Sequence, residues 1–214
     1  MKERLGDRPI VAGVPTVLAI ALLAAILSSC GGGDNSTTVT SVAGCKVVDA
    51  PEPKEVSLSA PEQTVKAGEK LTAVVQTSCG PFEIALDTKR APQIANSFSY
   101  LAREGFYDGL DFNRVVSGFV IEGGDPLGDG SGGPGYTVVE EPPADLSYTR
   151  GVVAMAKTPS EPPGSAGSQF FVVTSHNAGF GAEYALLGEV SEGYGTVARI
   201  NKLPAPEKCP SSRS

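Results

Sequence analysis

An arginine within an apolar strand segment is the feature of this sequence that most suggests chemistry. Arg114 interrupts the apolar stretch 112–116, and Glu122 ends the next apolar stretch, 119–122. A guanidinium stays charged at any relevant pH and donates several hydrogen bonds in a fixed geometry. Two interpretations stay open: Arg114 donates to a substrate, or it forms an ordinary ion pair with Glu122 beside core phenylalanines.

A second segment, 167–171, places a polar side chain next to two aromatic ones. Side chains alternate between the two faces of a strand, so Gln169 and Phe171 share one face and Phe170 takes the other. By the same period, Val120 and Glu122 share a face of the earlier strand. Each pattern puts a polar side chain and an apolar one on the same face of a strand.

The histidine count and the net charge exclude several other chemistries. The chain has one histidine, His176, and a formal net charge of −7. One histidine cannot supply a His-rich zinc site, and a Ser-His-Asp triad would depend on His176 alone. An acidic chain is also a poor partner for nucleic acid, whose phosphates attract basic surfaces. We therefore expect no metal, no cofactor and no nucleic-acid partner.

The loop 123–135 contains a match to G-x-G-x-x-G at residues 128–133. A dinucleotide site needs a helix directly after this motif, and the Pro134-Gly135 pair prevents one. Asp125 and Asp129 lie in the same loop, but a calcium loop needs more oxygen ligands at closer spacing. The glycines therefore indicate a long loop with tight turns.

Short strands are the elements that would position Arg114. The 214 residues include 26 Gly and 17 Pro, which favours many turns. The predicted strands are 71–76, 82–86, 112–116, 119–122, 151–157, 169–174 and 185–190, and the predicted helices are 92–104 and 193–202. Two helices so far apart do not alternate with strands, so the pattern favours an antiparallel sheet closed into a barrel with helices at its ends. On the first helix, Ile94, Phe98, Leu101 and Ala102 share a core face.

The N-terminus has the organisation of an export signal. Basic residues among the first eight precede an apolar run at 10–27, and the sequence LSSC follows at 27–30. This tetrapeptide resembles the lipobox of bacterial lipoproteins, which implies cleavage before Cys30, a lipid thioether on that cysteine and an acylated, palmitate-type amino group. An uncleaved transmembrane anchor is the alternative. We expect a signal peptide at 1–29 and a lipid-anchored protein on the extracytoplasmic face of the cell membrane.

The remainder of the chain divides by composition. Residues 30–44 are rich in Gly, Ser and Thr and predict a flexible tether, and 45–70 carry several prolines and predict an extended arm. We expect the folded domain at 71–203 and a tail at 204–214. Outside the cytoplasm, Cys45, Cys79 and Cys209 allow three disulfide pairings with one thiol left over. Cys45–Cys79 is favoured because both residues flank the segment leading into the domain, and three free thiols are the alternative.

Four motifs in order identify a resemblance to a known family. They are YDGLDFNRVVSGFVIEGGDP, GDGSGGPGY, GVVAMAKT and GSQFFVVT. Together they resemble the cyclophilin-type peptidyl-prolyl cis-trans isomerases, over about residues 71–203. The resemblance implies a mainly β fold, a closed antiparallel eight-stranded barrel capped by two helices, with the active groove on its outer face. Incomplete closure, or closure by the arm before Leu71, are alternatives, because family members typically add a strand after the second helix.

The resemblance also assigns site residues. The predicted catalytic residues are Arg114, Phe119, Glu122, Gln169 and Phe171, and the predicted substrate-binding residues are Val120, Ala156, Lys157, Phe180 and Tyr184. Three residues depart from the family pattern: Asn113 replaces a usual histidine, Glu122 a usual glutamine and Lys157 a usual asparagine. A tryptophan that many members carry near Gly179 is absent.

The implied function is isomerisation of Xaa-Pro bonds in exported proteins, assisting their folding. The substrates would be proline-containing polypeptides, bound by a monomer. One alternative is a module that binds proline peptides in the same groove without turnover. A second alternative is a structural surface protein in which the barrel is a spacer.

Overall fold

The computed structural model describes residues 9–11 and 41–203 of the chain. The lipidation candidate Cys30, most of the predicted signal peptide and tether, and the predicted tail with Cys209 lie outside the described residues. Within the described residues, no helix is long and apolar enough to cross a membrane.

Short strands dominate the described chain, and two helices accompany them. The strands are β1 (Pro9–Val11), β2 (Ser41–Val42), β3 (Cys45–Lys46), β4 (Thr72–Thr77), β5 (Gly80–Leu86), β6 (Arg114–Val116), β7 (Val120–Gly123), β8 (Val138–Val139), β9 (Val152–Met155), β10 (Ser165–Ala166), β11 (Phe170–Val173) and β12 (Leu186–Glu192), and the helices are α1 (Pro92–Arg103) and α2 (Tyr194–Ile200). Every predicted strand and both predicted helices are confirmed, with ends that differ by at most two residues. The strands that periodicity did not predict are β1 and the two-residue strands of the pairs β2–β3 and β8–β10.

The main sheet has the strand order β1-β4-β5-β12-β9-β11-β7-β6. Neighbouring strands are antiparallel, except that β1 runs parallel to β4, with Pro9 opposite Thr72. The other seven strands run along the chain from β4 (Thr72–Thr77) to β12 (Leu186–Glu192) and curl into a half-barrel. Because β1 lies within the predicted signal peptide, a chain that begins at Cys30 would keep these seven strands.

The expected closed eight-stranded barrel is wrong. A barrel closes only when each strand has a neighbour on both sides. Here β6 pairs with β7 alone and β1 pairs with β4 alone, and no described strand connects these two edges. The arm does not close the gap either, because residues 47–71 contain no strand. The sheet is therefore an open, curled half-barrel.

The strands that meet in the middle of the sheet are apolar on both faces. On β11, Phe170 and Val172 belong to the main core under the sheet, whereas Phe171 and Val173 belong to a second cluster on the other face. On β7, Ile121 likewise faces the main core and Val120 the second cluster. Period-two alternation therefore carries apolar side chains to the outer surface, which is where an apolar pocket can form.

Helix α1 covers the main core with the predicted face, since Ile94, Phe98, Leu101 and Ala102 are all buried. Its N-terminus has no side-chain cap from the preceding residue. Instead, the Glu140 carboxylate accepts hydrogen bonds from the backbone N–H groups of Gln93 and Ile94, each at 3.0 Å. A carboxylate at a helix N-terminus satisfies free N–H groups and complements the helix dipole.

The extended arm is attached to the domain at both of its ends. At one end, Cys45 and Cys79 form a disulfide, which confirms the favoured pairing and ties the β2–β3 hairpin to the β4–β5 turn. At the other end, the buried Asn96 side chain accepts hydrogen bonds from the backbone of Thr64 (2.9 Å) and Val65 (3.0 Å). The arm is thereby held along the surface of α1.

Candidate active site

The β6–β7 hairpin places the predicted catalytic arginine directly opposite a carboxylate. Arg114 pairs with Glu122 in the strand register, and Arg114 Nη1 lies 2.9 Å from Glu122 Oε2. The side chain of Arg114 is 52% exposed and that of Glu122 is 17% exposed. The ion pair therefore leaves much of the guanidinium facing solvent.

The hairpin turn explains how two such short strands hold this register. The backbone N–H of Phe119 donates to the carbonyl oxygen of Val116 at 3.0 Å, and Gly118 has a φ of 71°. A side chain strains this left-handed conformation, so glycine suits the position. The tight turn fixes which residues of β6 and β7 face each other.

Neighbouring strands extend the Arg114–Glu122 pair into a row across the outer face of the sheet. Phe171 on β11 lies opposite Glu122, and Ala154 on β9 lies opposite Phe171. Residues opposite each other in adjacent strands project from the same face. The register therefore brings the arginine, the carboxylate and a buried aromatic ring together.

A pocket of about 290 Å³ opens above this row. It is lined by Arg114, Val120, Glu122, Ala156, Lys157, Phe171, Phe180 and Tyr184. Of the predicted catalytic and substrate-binding residues, these are all except Phe119 and Gln169. We call this cavity the proline pocket, after the ligand that the family resemblance predicts for it.

Aromatic rings form the wall of the proline pocket. The ring centroids of Phe171 and Tyr184 are 5.2 Å apart and perpendicular, and those of Phe180 and Tyr184 are 4.9 Å apart. Phe119 packs behind Phe180, with 5.3 Å between ring centroids. The Phe171–Tyr184 and Phe119–Phe180 pairs are edge-to-face, an arrangement that aromatic rings prefer and that stabilises the wall. Phe119 thus supports the wall from behind.

Tyr148 is a supporting residue that sequence reasoning missed. It is fully buried, and its hydroxyl donates to the Tyr184 carbonyl oxygen at 2.6 Å and accepts from the Tyr184 N–H at 2.9 Å. Burial raises the pKa of the phenol, although hydrogen bonds to the backbone oppose this rise. Tyr148 precedes β9 in an irregular segment, so no period in the sequence could assign it to the site.

Lys157 connects the pocket wall to the loop after it. Its side chain is 5% exposed, and Nζ lies 3.2 Å from the Glu161 carbonyl oxygen and 3.8 Å from the Glu183 carboxylate. The ammonium also lies 5.6 Å from the centroid of the Tyr184 ring. A buried ammonium needs such partners, because desolvation without them is costly. Lys157 therefore sits at the pocket edge as a fixed, paired cation.

Gln169 lies outside the proline pocket and binds the loop 123–135, which we call the glycine-rich loop. Its Nε2 donates to the carbonyl oxygens of Gly132 at 2.8 Å and Gly130 at 3.1 Å. The same loop is held from within by the buried Asp125 carboxylate, which accepts from the N–H groups of Leu127 and Gly130. Positioning of a substrate carbonyl by Gln169 stays a prediction.

A second, larger groove of about 1520 Å³ adjoins the proline pocket. The two cavities share Arg114, Glu122, Ala156 and Lys157 as lining residues. The glycine-rich loop and residues 54–57 of the arm complete the groove. Among the described residues, no cluster of histidine, cysteine or acidic side chains is arranged to hold a metal ion.

This geometry agrees with the family that the chain matches. Residues 72–213 match the model of the cyclophilin-type peptidyl-prolyl cis-trans isomerases (cyclophilin type peptidyl-prolyl cis-trans isomerase/CLD). That range covers more than half of the chain, and the chain belongs to this family. The predicted enzyme class, peptidyl-prolyl cis-trans isomerase, is confirmed with it.

Similar proteins carry the same description. The chain is 39% identical over 139 residues to peptidyl-prolyl cis-trans isomerase B of Streptomyces anulatus, covering 58% of this chain and 78% of that protein. It is 36% identical over 133 residues to a peptidyl-prolyl cis-trans isomerase of Helicobacter pylori, covering 61% of this chain and 80% of that protein.

A solved structure has the same fold. A cyclophilin-type isomerase of Cryptosporidium parvum superposes with a TM-score of 0.59 at 29% identity, covering 64% of this chain and 86% of that one. The same protein in the presence of the dipeptide Ala-Pro gives a TM-score of 0.58, with 64% and 87% of the two chains covered. Both superpositions support the half-barrel as a cyclophilin fold.

Proposed function

We propose that this isomerase acts on Xaa-Pro bonds of exported polypeptides and assists their folding while anchored to the membrane through lipid on Cys30. One observation carries the catalytic part: the half-exposed Arg114 guanidinium lines the same pocket as the buried ring of Phe171. The presence of Ala-Pro in a related structure supports proline peptides as ligands.

The reaction needs no nucleophile, because no covalent bond is made or broken. Rotation about an Xaa-Pro bond disrupts amide conjugation, with a barrier of about 18–20 kcal/mol. Uncatalysed exchange takes tens to hundreds of seconds. Exchange in milliseconds requires an acceleration of roughly 10⁴–10⁵, or about 5.5–7 kcal/mol of transition-state stabilisation.

Arg114 supplies a donor that acts in the twisted state. When conjugation is lost, the prolyl nitrogen becomes pyramidal and regains a lone pair that a guanidinium N–H can bind. The planar ground state offers no such acceptor, so the interaction favours the transition state selectively. A single well-placed donor of this kind contributes about 2.7–4 kcal/mol in oxyanion holes.

The proline pocket supplies the complementary part. Its aromatic wall of Phe171, Phe180 and Tyr184 offers an apolar surface to the proline ring and excludes water from it. Val120 is 2% exposed at the pocket floor and adds to the same surface. Binding of the ring holds the Xaa-Pro bond in the orientation that rotation requires, so binding energy lowers the barrier.

A second candidate function, binding of proline peptides without turnover, is favoured by the carboxylate of Glu122. Its Oε2 occupies one N–H of the catalytic guanidinium at 2.9 Å. A charge-assisted bond of this kind can quench the field that a prolyl nitrogen would meet. We favour reduced but real activity, because Arg114 is engaged there through Nη1 alone among the described residues.

A protease-coupled or NMR-exchange assay on an Xaa-Pro peptide separates the two. Arg114→Ala is expected to lower kcat/KM by about 10²–10³-fold, since one transition-state donor is lost. Arg103→Ala, on the last turn of α1, is the matched control and should leave the rate unchanged. Binding of the peptide by the wild type with no turnover would instead establish the binding module.

Anchoring is tested separately by fractionation of cells that make the full chain. The wild type is expected in the membrane fraction, with its N-terminus at Cys30 and a mass increase on that cysteine that corresponds to lipid, and a variant that lacks residues 1–30 should be released. An unmodified Cys30 on a chain that keeps residues 1–29 would contradict the lipid anchor and support the transmembrane alternative. Size-exclusion chromatography of the released protein tests the expected monomer.

A further inference from the structure

The N-terminal arm forms one wall of the groove that adjoins the proline pocket. Residues 54–57 line this groove together with Arg114 and Glu122, which also line the proline pocket. A peptide whose proline occupies the pocket therefore has a continuous path into the groove and along the arm. We propose that the arm binds the part of the polypeptide that flanks the isomerised bond, and that Glu55 selects a basic residue there.

The arm is fixed tightly enough to act as a binding wall. The N–H of Lys54 donates to the Pro126 carbonyl oxygen at 2.8 Å, and the N–H of Leu58 donates to the Pro134 carbonyl oxygen at 2.7 Å. These two bonds fasten the segment at both ends to the glycine-rich loop. Residues between two such main-chain bonds lose much of their freedom before a ligand arrives, which lowers the entropic cost of binding.

Gly135 shows how closely the loop and the arm approach. A Cβ atom at this position would lie 2.9 Å from Ser57 Cα and 3.1 Å from Leu58 N, and its φ is 92°. Any larger residue would push the arm away from the loop. The contact therefore depends on a glycine at this point.

Charge assigns the preferred ligand chemistry. The other acidic side chains that line the groove all have partners. Glu122 pairs with Arg114, the Glu161 carboxylate accepts from the Thr158 N–H and hydroxyl, and the Asp129 carboxylate accepts from the Ser131 N–H and hydroxyl. Glu55 is exposed and makes no hydrogen bond or ion pair with the described residues. The neighbouring Lys54 ammonium donates to the Asp108 carbonyl oxygen at 2.9 Å. Glu55 is thus a wall carboxylate ready to pair with a lysine or arginine of the substrate.

This inference rests on the proposed function, and the test separates the two. A series of Xaa-Pro peptides carries one lysine, moved stepwise through the residues before and after the proline, with glutamine peptides as references. Both the dissociation constant and kcat/KM are measured for each peptide. One lysine position should bind roughly twofold to fivefold more tightly than its glutamine reference, as expected for an exposed ion pair.

Variants of the arm define the source of that preference. Glu55→Gln should abolish it, and Glu55→Lys should reverse it in favour of a glutamate peptide. Glu52→Gln removes a carboxylate that lies on the same arm but outside the groove lining, so the lysine preference should remain. A tetrapeptide too short to reach the arm should behave identically with all three variants. At 1 M ionic strength, where the Debye length is about 3 Å, the preference should disappear.

Failure of the role of the arm and failure of the proposed enzymatic function give different results. Equal affinity for all lysine positions, or a preference that survives in Glu55→Gln, overturns the role of the arm even if every peptide is isomerised. A Glu55-dependent preference in the dissociation constants, with no isomerisation of any peptide, supports the arm and overturns the proposed enzymatic function.

Discussion

The proline pocket and the arm-lined groove share a boundary, but they are built in opposite ways. The pocket combines strand register, which places Arg114, Glu122 and Phe171 in one row of the sheet, with Phe180 and Tyr184, which pack on that row from outside the strands. The groove depends on an irregular arm and a glycine-rich loop joined by a few main-chain hydrogen bonds. The pocket is therefore built on buried aromatic packing, whereas the geometry of the groove depends on a few main-chain bonds. A change that loosens the arm should alter recognition of flanking residues and spare the isomerisation step.

Loss of the Cys45–Cys79 disulfide should give the largest effect and separate the two regions. The bond closes a loop with a sequence separation of 34. Opening such a loop is expected to lower the free energy of unfolding by about 2–4 kcal/mol. Chemical denaturation with and without reductant measures this loss. The lysine preference should weaken on reduction, whereas isomerisation of a tetrapeptide should keep its rate at temperatures where the domain stays folded.

The double variant Cys45→Ser, Cys79→Ser controls for effects of the reductant itself, including any on Cys209. It should be as unstable as the reduced wild type and insensitive to reductant. An equal loss of tetrapeptide isomerisation and lysine preference would show that the two regions are not separable.

The sequence predicts more of the proline pocket than of the arm, because strands follow a period of two and the arm follows none. Period-two alternation predicted that Val120 shares a face with Glu122, and both residues line the pocket. The same alternation paired Gln169 with Phe171, but Gln169 lies outside the pocket and binds the glycine-rich loop. The outer-face aromatic cluster was predicted only through the family resemblance. The arm had no period to interpret, and its attachment through Asn96 joins residues about thirty positions apart. The N-terminus of α1 is similar, since its cap comes from Glu140, 46 residues after Ile94.

The closed barrel was wrong because closure depends on edges and not on the strands themselves. Alternation identifies each strand but does not report what lies beside the last one. The β6 edge ends after three residues and has no second neighbour among the described strands. Whether such an edge strand gains a second neighbour depends on pairing with a distant part of the chain, which one sequence does not show.

Tyr148→Phe should produce an intermediate effect confined to the proline pocket. The change keeps the ring but removes both hydrogen bonds to the Tyr184 backbone. Leaving buried partners unsatisfied is expected to cost about 1–3 kcal/mol of unfolding free energy. Because Tyr184 lines the pocket, KM for a tetrapeptide should rise while kcat changes less.

Alkaline pH gives a second measurement of the same residue. The pKa of Tyr148 is raised above its ordinary value of 10.0, chiefly by burial. Above pH 10.0 the unfolded chain releases the phenolic proton, whereas the folded chain, with its raised pKa, retains it. The free energy of unfolding therefore falls as pH rises through this range. Tyr148→Phe should lose less stability over this range than the wild type. Tyr194→Phe is the matched control, because Tyr194 lies on α2 and outside both cavities. If Tyr194→Phe raised KM as much as Tyr148→Phe does, a specific role for Tyr148 would be contradicted.

Glu122→Gln should give the smallest effect, and its sign is the informative part. Glutamine can still accept a hydrogen bond from Arg114 across the strand pair, so the position of the guanidinium is kept, while the neutralising charge is removed. A guanidinium with an undiminished field should bind the prolyl lone pair more strongly, raising kcat/KM by roughly twofold to tenfold, or up to about 1.4 kcal/mol of barrier. NMR exchange on a tetrapeptide measures the change, and Glu189→Gln on β12 controls for general loss of negative charge. An unchanged or lower rate in Glu122→Gln would mean that the carboxylate orients Arg114 more than it quenches it. In that case Glu122, in place of the family's usual glutamine, would contribute to activity by orienting Arg114.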